Sequence, residues 1–372
     1  MSQDSLKERA SALLEHAGIT LNGSAPIDLQ VHDERLYARV FAHGSLGLGE
    51  SYMDGWWDAD DLPALCTRLL SAGLDQELKT LDTLLAHLKA RFLNLQRGER
   101  AFEVGKVHYD LGNDLFRAML GKRMVYSCGY WAQANNLDDA QAAKLDLICR
   151  KLQLKPGQRV LDIGCGWGEA LKYAAEHYGI EGVGVTISKE QAEFARTLCA
   201  GLPIEIRLQD YREVDDSFDA VYSIGMFEHV GGKNYRTYFE AVRRCLKPDG
   251  LSLLHTIGSN GAPAQTDAWI EKYIFPNSMI PAASEVAAAL EELFVVEDWH
   301  NFGTDYDLTL TAWRDNIEAA WASLPADYDE RFRRMWRYYL AVSAAVFRSR
   351  RDQLWQLTLS PRGVAGGLRV PR

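Results

Sequence analysis

The first signs of chemistry in this sequence lie in a glycine-rich turn at residues 160–168, VLDIGCGWG. Apolar residues that favour β-structure lead into the glycines, and a helical stretch at 169–178 follows directly. Because glycine lacks a Cβ, the backbone can bend sharply and a ligand can approach it closely. The free N–H groups at the start of the following helix attract such a ligand. The pattern predicts a site for a nucleotide-like cofactor, with a tight strand-to-helix turn as the alternative interpretation.

Strands and helices alternate after this turn, which predicts a parallel sheet with helical crossovers. The predicted strands are 159–163, 182–188, 204–209, 218–224 and 251–256. Closing antiparallel strands are expected around 294–297 and 307–310, and a helix at 137–152 is expected to pack on the sheet. The predicted fold class is therefore α/β, and ligands of such sheets bind at the carboxyl ends of the strands.

The choice of cofactor depends on two acidic residues that are present and on one position where an expected acidic residue is absent. A dinucleotide site needs a G-x-G-x-x-G turn and an acidic residue about 20 positions later. Here the turn is G-x-G-x-G, and the second strand ends at 185–187, VTI, without a carboxylate. Asp162 can meet an ammonium group, and Asp210, at the end of the third strand, can accept from an adenine amine. With the turn KPDG at 247–250, these features favour S-adenosylmethionine, although Asp210 as a helix cap or turn residue stays open.

Composition and charge exclude several classes of protein. The 372 residues carry a formal net charge of -10 and are 47% hydrophobic and 25% charged, as in ordinary globular proteins. The negative charge argues against nucleic-acid binding and against loose adsorption to anionic membranes. The charged start of the chain predicts no signal peptide, and no apolar run approaches the ~20 residues of a bilayer span. Six cysteines without a C-x-x-C pair indicate free thiols in a reducing cytoplasm and no metal site.

The N-terminal part of the chain has a different pattern. Helical spacing of apolar residues predicts a helix at 6–17, and alternation predicts short strands at 28–31 and 35–41. A passage at 44–57, rich in aromatic residues, is expected to lead from a loop into a helix. These elements predict a small satellite core, with direct contact between the aromatic passage and a ligand as the alternative interpretation.

A leucine stripe at 78–95 predicts an amphipathic helix, which either packs on a neighbouring helix or lies on a membrane surface. The polar stretch after it predicts a boundary between an N-terminal domain, residues 1–95, and a catalytic domain, residues 96–372. Within the second domain, the long stretch at 259–281 is typical of a lid, and the tail at 361–372 is expected to be mobile.

With these residues in view, the sequence resembles the bacterial cyclopropane-fatty-acyl-phospholipid synthases over nearly its whole length, and their relatives the mycolic acid cyclopropane synthases over the catalytic domain. The motifs that carry the resemblance are GLGESYMDGWW at 47–57, HYD at 108–110, YSCGYW at 126–131, LDIGCGWG at 161–168, GVT at 184–186, GMFEHVG at 225–231, HTIG at 255–258 and LWQ at 354–356. The resemblance implies a Rossmann-like class I methyltransferase domain, with a mostly parallel seven-stranded sheet, beside a smaller, mainly helical N-terminal domain. It further implies transfer of a methylene from S-adenosylmethionine to the cis double bond of a phospholipid acyl chain.

The resemblance also implies which residues bind the cofactor. They are Tyr126, Ser127, Asp162, Gly164, Cys165, Gly166, Trp167, Gly168, Thr186, Gln191, Asp210 and Tyr211. Gln191 then does the work of the usual acidic residue at the ribose, which agrees with the carboxylate missing after Val185.

The chemistry of this reaction makes two demands on the protein. When the double bond attacks the sulfonium methyl, a carbocation forms at the neighbouring carbon, and a base must remove a proton before the ring closes. Aromatic faces stabilise a cation. The candidates, each of which is an equally good wall for the acyl chain, are Tyr109, Tyr130, Trp131, Phe227 and Tyr306.

For the base, the resemblance implies a bound bicarbonate as a second cofactor. Its implied ligands are Cys128, Glu228, His255, the backbone of Ile257, and Tyr306. Burial would raise the pKa of Glu228 and so allow its carboxyl to hydrogen-bond an anion. A charge pair between Glu228 and His229 at a helix N-terminus, and a small buried residue at Cys128, are the alternative interpretations.

One position departs from the family pattern. Many relatives carry a cysteine within the segment that here reads YLAVSA at 339–344, and this chain has Ser343. A hydroxyl is a poor substitute for a thiolate, so a covalent role is not expected there. Two other functions stay open: a C-methyltransferase that gives a branched chain without ring closure, and a catalytically silent lipid-binding relative.

The expected partners are membrane phospholipids with unsaturated acyl chains, approached from the cytoplasmic face of the membrane as a peripheral protein. The helix at 78–95 and the arginine-rich stretch at 331–339 are the expected contact surfaces, because positive side chains attract phosphate headgroups. A homodimer through the N-terminal domain is left open, and no nucleic-acid partner is expected.

Overall fold

The computed structural model describes residues 2–74, 112–261 and 266–372 of the chain. Its helices are α1 (Gln3–His16), α2 (Arg35–Met53), α3 (Leu62–Ser71), α4 (Asn113–Leu120), α5 (Leu137–Lys151), α6 (Glu169–Tyr178), α7 (Lys189–Leu198), α8 (Tyr235–Cys245), α9 (Ala268–Tyr273), α10 (Ala283–Leu290), α11 (Asp305–Ala320) and α12 (Glu330–Arg348). Its strands are β1 (Gln30–Val31), β2 (Trp57–Asp58), β3 (Arg159–Ile163), β4 (Glu181–Thr186), β5 (Ile204–Leu208), β6 (Phe218–Ile224), β7 (Leu246–Gly258), β8 (Val295–Asn301) and β9 (Gln353–Ser360). Short 3₁₀ turns lie at Tyr211–Glu213 and Phe227–His229.

Seven of these strands form one sheet in the order β5-β4-β3-β6-β7-β9-β8. The pairs from β5 to β7 are parallel, and β9 is antiparallel to both of its neighbours. The five strands predicted around the glycine-rich turn are confirmed, and so are the α/β class and the mostly parallel seven-stranded sheet.

Of the two predicted closing strands, one is confirmed and the other is wrong. The strand expected around 294–297 is present as β8, but the one expected around 307–310 is wrong, because these residues lie in α11. Leu310, Trp313 and Ile317 are buried at helical spacing along α11, a period that the short sequence 307–310 is too brief to show. The second closing strand is β9, which carries the LWQ motif.

The central strand β3 shows how the sheet divides its side chains. Leu161 and Ile163 belong to a core cluster with residues of α8 and α10, whereas Val160 belongs to a second cluster with residues of α5, α6 and α7. Successive side chains of a strand point to opposite faces, so Asp162 lies on the same face as Val160. The helices that cover both faces explain why the sheet strands read as nearly continuous apolar runs.

The chain forms two compact units. The first contains Met1–Asn94, Gln265–Pro276 and Leu310–Arg351, and the second contains Leu95–Ala264, Asn277–Thr309 and Asp352–Arg372. The predicted boundary between 1–95 and 96–372 therefore omits two later segments that group with the N-terminal one. The first unit is mainly helical in its described residues, and the sheet of seven strands lies in the second.

Two expectations for the first unit need comment. The strand predicted at 35–41 is wrong: α2 begins at Arg35 and runs to Met53, with non-helical backbone at Gly44 where φ is 57°. The loop expected at the start of 44–57 is absent, and the chain only kinks at Gly44. Glycine can adopt the positive φ of this kink, so the residues before and after it stay helical. The helix predicted at 78–95 lies outside the described residues, and the lid predicted at 259–281 is divided between the two units.

The arginine-rich stretch expected to contact lipid is used inside the first unit. Arg334 donates through Nη2 to the backbone oxygen of Trp57 (2.9 Å) and to Oδ1 of Asp58 (2.8 Å). Arg337 forms an ion pair with Glu318 (2.7 Å). We therefore assign Arg334 and Arg337 a structural role. Across the part of the chain that the structure describes, no helix combines the length and the apolar character needed to cross a bilayer.

Candidate active site

The glycine-rich turn joins β3 to α6. The backbone N–H groups of Gly164 and Cys165 both donate to the carbonyl of Val185 on β4, at 2.9 and 3.0 Å. Gly164 and Gly168 have φ values of +81° and +91°, which residues with a Cβ rarely adopt, and Gly168 is the N-cap of α6. A Cβ on Gly164 would lie 2.7 Å from Cγ of Met226, so only glycine fits there.

A cavity of about 210 Å³ opens above this turn. Eleven of the twelve residues predicted to bind the cofactor line it, namely Tyr126, Ser127, Asp162, Gly164, Cys165, Gly166, Trp167, Thr186, Gln191, Asp210 and Tyr211. Gly168, the twelfth, lies outside the wall and starts the helix instead. Phe116 of α4 supports two of the aromatic residues, with ring centroids 5.3 Å from Tyr126 and 5.2 Å from Trp167.

Asp162 presents a buried acid to the cavity. Its side chain is 2% exposed, and Oδ1 has no hydrogen-bond partner within the described residues. Burial raises the pKa of the carboxyl to about 7. A buried carboxyl oxygen without a partner is costly, so this one fits a ligand that brings a donor such as an ammonium group.

The residues predicted for the adenosine part lie at the end of β4, at the start of α7 and just after β5. The Thr186 hydroxyl donates to Oε1 of Gln191 (3.0 Å), which holds the Gln191 amide in the cavity wall without any carboxylate. Asp210 accepts from the backbone N–H of Arg212 (2.9 Å) and forms an ion pair with the Arg212 guanidinium. Asp210 is therefore a cap of the 3₁₀ turn, as the alternative interpretation expected, and it lines the cavity as well.

The residues predicted to hold the base lie next to this cavity. Cys128 follows Ser127, and it packs in a buried cluster with Ile257, Tyr306, Phe302 and Leu354. None of the five predicted ligands lines the cofactor cavity itself. The structure thus brings Cys128, Ile257 and Tyr306 together behind the cavity wall.

Glu228 and His255 each present one unsatisfied atom. Oε1 of Glu228 accepts from the backbone N–H of Ile257 (2.7 Å), but Oε2 is buried without a partner in the described chain. Nδ1 of His255 lies 3.2 Å from Nε2 of Gln356, and Nε2 of His255 is buried without a partner there as well. Each of these two atoms would be satisfied by a ligand group that donates or accepts a hydrogen bond.

Burial sets the protonation of these groups. It raises the pKa of Glu228 to about 7, lowers that of His255 well below 6.5, and raises that of Cys128 well above 9. At neutral pH the imidazole and the thiol are therefore uncharged, and the carboxyl readily holds a proton. Burial also lowers the pKa of His229 to about 4, which disfavours the alternative of a Glu228–His229 charge pair.

The aromatic candidates for cation stabilisation have different positions. Tyr130 and Tyr306 pack against the Cys128 cluster, whereas Phe227 is fully buried in the sheet core and stacks on Tyr235 with centroids 4.4 Å apart. Trp131 donates through Nε1 to the Thr309 hydroxyl (2.9 Å). Tyr109 lies outside the described residues. Phe227 is therefore a core residue, and Tyr130 and Tyr306 are the better placed candidates.

Sequence reasoning assigned no role to Lys144 or to the side chain of Gln356. Lys144 lines the cofactor cavity, and Gln356 contacts His255. Lys144 could have been found as a lysine on the apolar face of the helix before β3, and Gln356 as the one polar residue of the LWQ motif. Ser343, at the position where the family resemblance implies a cysteine, lies on α12 in the first unit, whereas the predicted cofactor and base residues all lie in the second.

The sheet order, the glycine turn after β3 and the acid at the end of that strand define a class I methyltransferase, which uses S-adenosylmethionine. A family model described as mycolic acid cyclopropane synthetase matches residues 96–357. The chain belongs to this family.

Individual relatives agree with this assignment. The chain is 55% identical over 365 residues to the cyclopropane-fatty-acyl-phospholipid synthase of Escherichia coli strain K12, covering 98% of this chain and 95% of that protein. It is 33% identical over 354 residues to the tuberculostearic acid methyltransferase UfaA1 of Mycobacterium tuberculosis, covering 89% of this chain and 82% of that one.

Solved structures give the same picture for about two thirds of the chain. The cyclopropane synthase MmaA2 of Mycobacterium tuberculosis superimposes with a TM-score of 0.65 at 30% identity, covering 69% of this chain and 97% of that one. The mycolic acid cyclopropane synthase CmaA1, in complex with SAH and CTAB, gives a TM-score of 0.63 at 30% identity, with the same coverage of 69% and 97%.

Proposed function

We propose that this methyltransferase transfers a methylene from S-adenosylmethionine to the cis double bond of unsaturated acyl chains in membrane phospholipids. The products are a cyclopropane acyl chain, S-adenosylhomocysteine and a proton. The identity of 55% to a cyclopropane-fatty-acyl-phospholipid synthase, across 98% of this chain, supports the substrate class. The cavity above the glycine turn supports the cofactor, because it combines a close backbone approach with the unpartnered acid of Asp162.

The observation that carries the assignment of the base is the pair of buried, unsatisfied atoms, Oε2 of Glu228 and Nε2 of His255. Bicarbonate fits them, because it has both an O–H donor and charged acceptor oxygens. When bound there, it would supply a base that is too weakly nucleophilic to capture the carbocation. Cys128, Glu228, His255, the backbone of Ile257, and Tyr306 would hold it.

The protein's own groups have distinct tasks in this scheme. The sulfonium methyl is the electrophile, and Asp162, Gln191 and Asp210 orient the molecule that carries it. Glu228, whose pKa of about 7 allows a proton on Oε2, donates to an oxyanion, and neutral His255 adds no charge that would repel a carbocation. The thiol of Cys128, held against the Thr309 hydroxyl at 3.7 Å, stays protonated and acts as a weak donor. Tyr130 and Tyr306 present aromatic surface to the developing cation.

A second candidate reaction ends before ring closure and gives a methyl-branched chain. The 33% identity to a tuberculostearic acid methyltransferase, over 89% of this chain, is the observation that favours it. The two reactions share the carbocation and differ in where the proton leaves. Loss of a proton from the new methyl closes the ring, whereas loss of a proton from a neighbouring chain carbon leaves an unsaturated chain with a methyl branch.

The test uses purified protein, vesicles of an unsaturated phospholipid and methyl-labelled S-adenosylmethionine, with and without bicarbonate. Label is expected in the lipid with the mass and proton signals of a cyclopropane. Activity is expected to fall at least about tenfold without bicarbonate or in Glu228→Gln, because one charge-assisted hydrogen bond accounts for a change of that size. Unlabelled lipid would refute the substrate class, a branched product would favour the second candidate, and activity indifferent to bicarbonate would refute the base.

We also infer that the enzyme meets its substrate at a membrane surface, as a peripheral protein of the cytoplasmic face. The acyl chains it would modify lie in a bilayer, and the described helices include none that could span one. A homodimer belongs to the same proposal and is tested by sedimentation of the purified chain across a range of concentrations. A single monomeric species throughout would refute it.

A further inference from the structure

A buried lysine lines the cofactor cavity. Lys144 on α5 is 0% exposed, and its Nζ donates to Oγ of Ser127 at 2.9 Å. An ammonium group carries three N–H donors. Across the described residues, Ser127 is its one hydrogen-bond partner, and no carboxylate lies within ion-pair distance of it.

A second buried lysine on the same helix shows what a structural lysine looks like here. Lys151 is also 0% exposed, but its Nζ forms an ion pair with Asp298 (3.3 Å) and lies 3.1 Å from Nδ1 of His300. It does not line the cofactor cavity. Burial of an ammonium is costly unless it is paired, so the charge of Lys144 calls for an anion that the described protein does not supply.

The same cavity also contains a buried acid that lacks a positively charged partner in the described chain. Asp162 lines the same space, and its Oδ1 has no hydrogen-bond partner among the described residues, with the Tyr222 phenol facing the carboxyl from β6. A buried cation and a buried anion that are not paired with each other would both be neutralised by a zwitterionic ligand, which carries one negative and one positive group. The amino-acid end of S-adenosylmethionine, with one carboxylate and one ammonium, has this charge pattern.

We propose that Lys144 positions Ser127 to bind the carboxylate of the cofactor's amino-acid end, while Asp162 receives its ammonium. Because the Ser127 oxygen accepts from Lys144, its hydroxyl proton is free to be donated into the cavity. The positive charge behind it strengthens that bond. Lys144 is thus a positioning residue, and this inference rests on the cofactor site proposed above.

The protonation of the pair agrees with this arrangement. Burial lowers the pKa of Lys144 to about 7 and raises that of Asp162 to about 7, so both groups are readily neutral in the free protein. A bound carboxylate would raise the first pKa, and a bound ammonium would lower the second. The other ionisable groups that act on Lys144 are Cys128 and Glu169, and Glu169 is already paired with Arg123 (2.8 Å).

The test measures ligand selectivity by calorimetry in Lys144→Met, with Lys151→Met as the matched control for loss of a buried lysine. The ligands are S-adenosylhomocysteine, its decarboxylated analogue 5′-(3-aminopropylthio)-5′-deoxyadenosine, and 5′-methylthioadenosine. Lys144→Met is expected to lose about tenfold in affinity for the first ligand and less than about twofold for the other two. Lys151→Met is expected to keep the wild-type ratios.

Activity gives a second readout of the same assignment. In Lys144→Met the KM for S-adenosylmethionine is expected to rise about tenfold while kcat stays within about twofold, since the interaction is equal in the ground and transition states. Ser127→Ala, which removes little volume, is expected to show the same loss of selectivity and serves if Lys144→Met does not fold. Equal weakening of all three ligands, or unchanged selectivity, would overturn the role of Lys144. Wild-type protein that binds no S-adenosylhomocysteine would overturn the cofactor site as well.

Discussion

At the scale of single residues, the two oxygens of Glu228 have different surroundings. Oε1 accepts from the backbone of Ile257, which holds the carboxyl in one orientation, and Oε2 is left for a ligand. The side chain is 6% exposed, so water does not compensate a negative charge there, and this is why its pKa rises. Burial therefore favours the protonated Glu228 carboxyl, which can donate a hydrogen bond to an anion, and makes its ionised form unfavourable in the folded protein.

The stability of the protein should therefore respond to pH at this residue. The pKa of Glu228 in the folded protein, about 7, lies above its ordinary value of 4.5, so the folded state binds the proton more tightly and loses stability as pH rises from 4.5 through 7. Glu228→Gln, which cannot ionise, should gain stability relative to the wild type over this range. The gain should reach at most about 3 kcal/mol above pH 8, because each tenfold change in proton affinity corresponds to about 1.4 kcal/mol.

Urea unfolding of both proteins between pH 5 and 8.5, in buffer without bicarbonate, measures this difference. A difference in free energy of unfolding that is constant with pH would contradict the buried, neutral carboxyl. The comparison isolates Glu228, because every other titrating group, including Asp162, is shared by the two proteins.

At the scale of elements, the turn between β3 and α6 depends on one glycine that no other residue can replace. Gly164 combines a positive φ with a close approach of Met226, whose Cβ and Cγ would lie 2.8 and 2.7 Å from an added methyl. These atoms are near the Met226 backbone and have little freedom to move away. Met226 also lines the cavity, so displacing it changes the site.

Gly164→Ala should therefore lose affinity for S-adenosylhomocysteine by more than about tenfold, because the cavity wall must shift to admit the methyl. Gly157→Ala is the matched control, since Gly157 has a φ of +79° but no atom of the described residues lies within 4 Å of an added Cβ. The control should lose only about 1 kcal/mol of stability through backbone strain and keep its affinity. Calorimetry and thermal unfolding of both variants measure the two effects, and equal losses of affinity would refute the steric explanation.

At the scale of the whole molecule, charge works against adhesion to an anionic bilayer. The formal net charge is -10, and the structure commits Arg334 and Arg337, which the sequence pattern assigns to a lipid-facing surface, to contacts within the first unit. All six cysteines are buried and free, which suits a protein that keeps its thiols reduced. Contact with lipid must therefore depend on apolar surface or on a local basic patch elsewhere.

This balance predicts the salt dependence of vesicle binding. In co-sedimentation, binding to anionic phospholipid vesicles should not exceed binding to zwitterionic vesicles by more than about twofold at low salt, because long-range repulsion opposes any local attraction. Raising the salt concentration to about 0.5 M, where charges are strongly screened, should leave binding unchanged or increase it slightly. A steep fall in binding with salt would show instead that a basic patch dominates.

Local patterns in the sequence were sufficient for the sheet and the cofactor turn. The run of apolar residues before GCGWG depends on backbone sterics over a few residues, so β3 and its turn could be predicted directly. Residues 247–250, predicted as a turn before the fifth strand, instead lie within β7, at an irregularity in its register with β6. Strand predictions that depended on short apolar patterns were wrong. Residues 35–41 and 307–310 were predicted as strands but are helical, because the helical spacing of buried residues is visible only over longer segments.

The sequence by itself, with its family resemblance, determined the class of enzyme, the fold of the sheet and the residue types around the cofactor. Only the tertiary structure decided which polar atoms are left without partners. Within the described chain, Oε2 of Glu228, Nε2 of His255 and Oδ1 of Asp162 are unsatisfied because strands and helices far apart in sequence enclose them without offering a bond. The glycine turn marked one wall of the site. Lys144 lines the same cavity because α5 packs against the face of the sheet that contains Val160 of β3. The spacing of residues within one segment cannot predict such a contact between two elements.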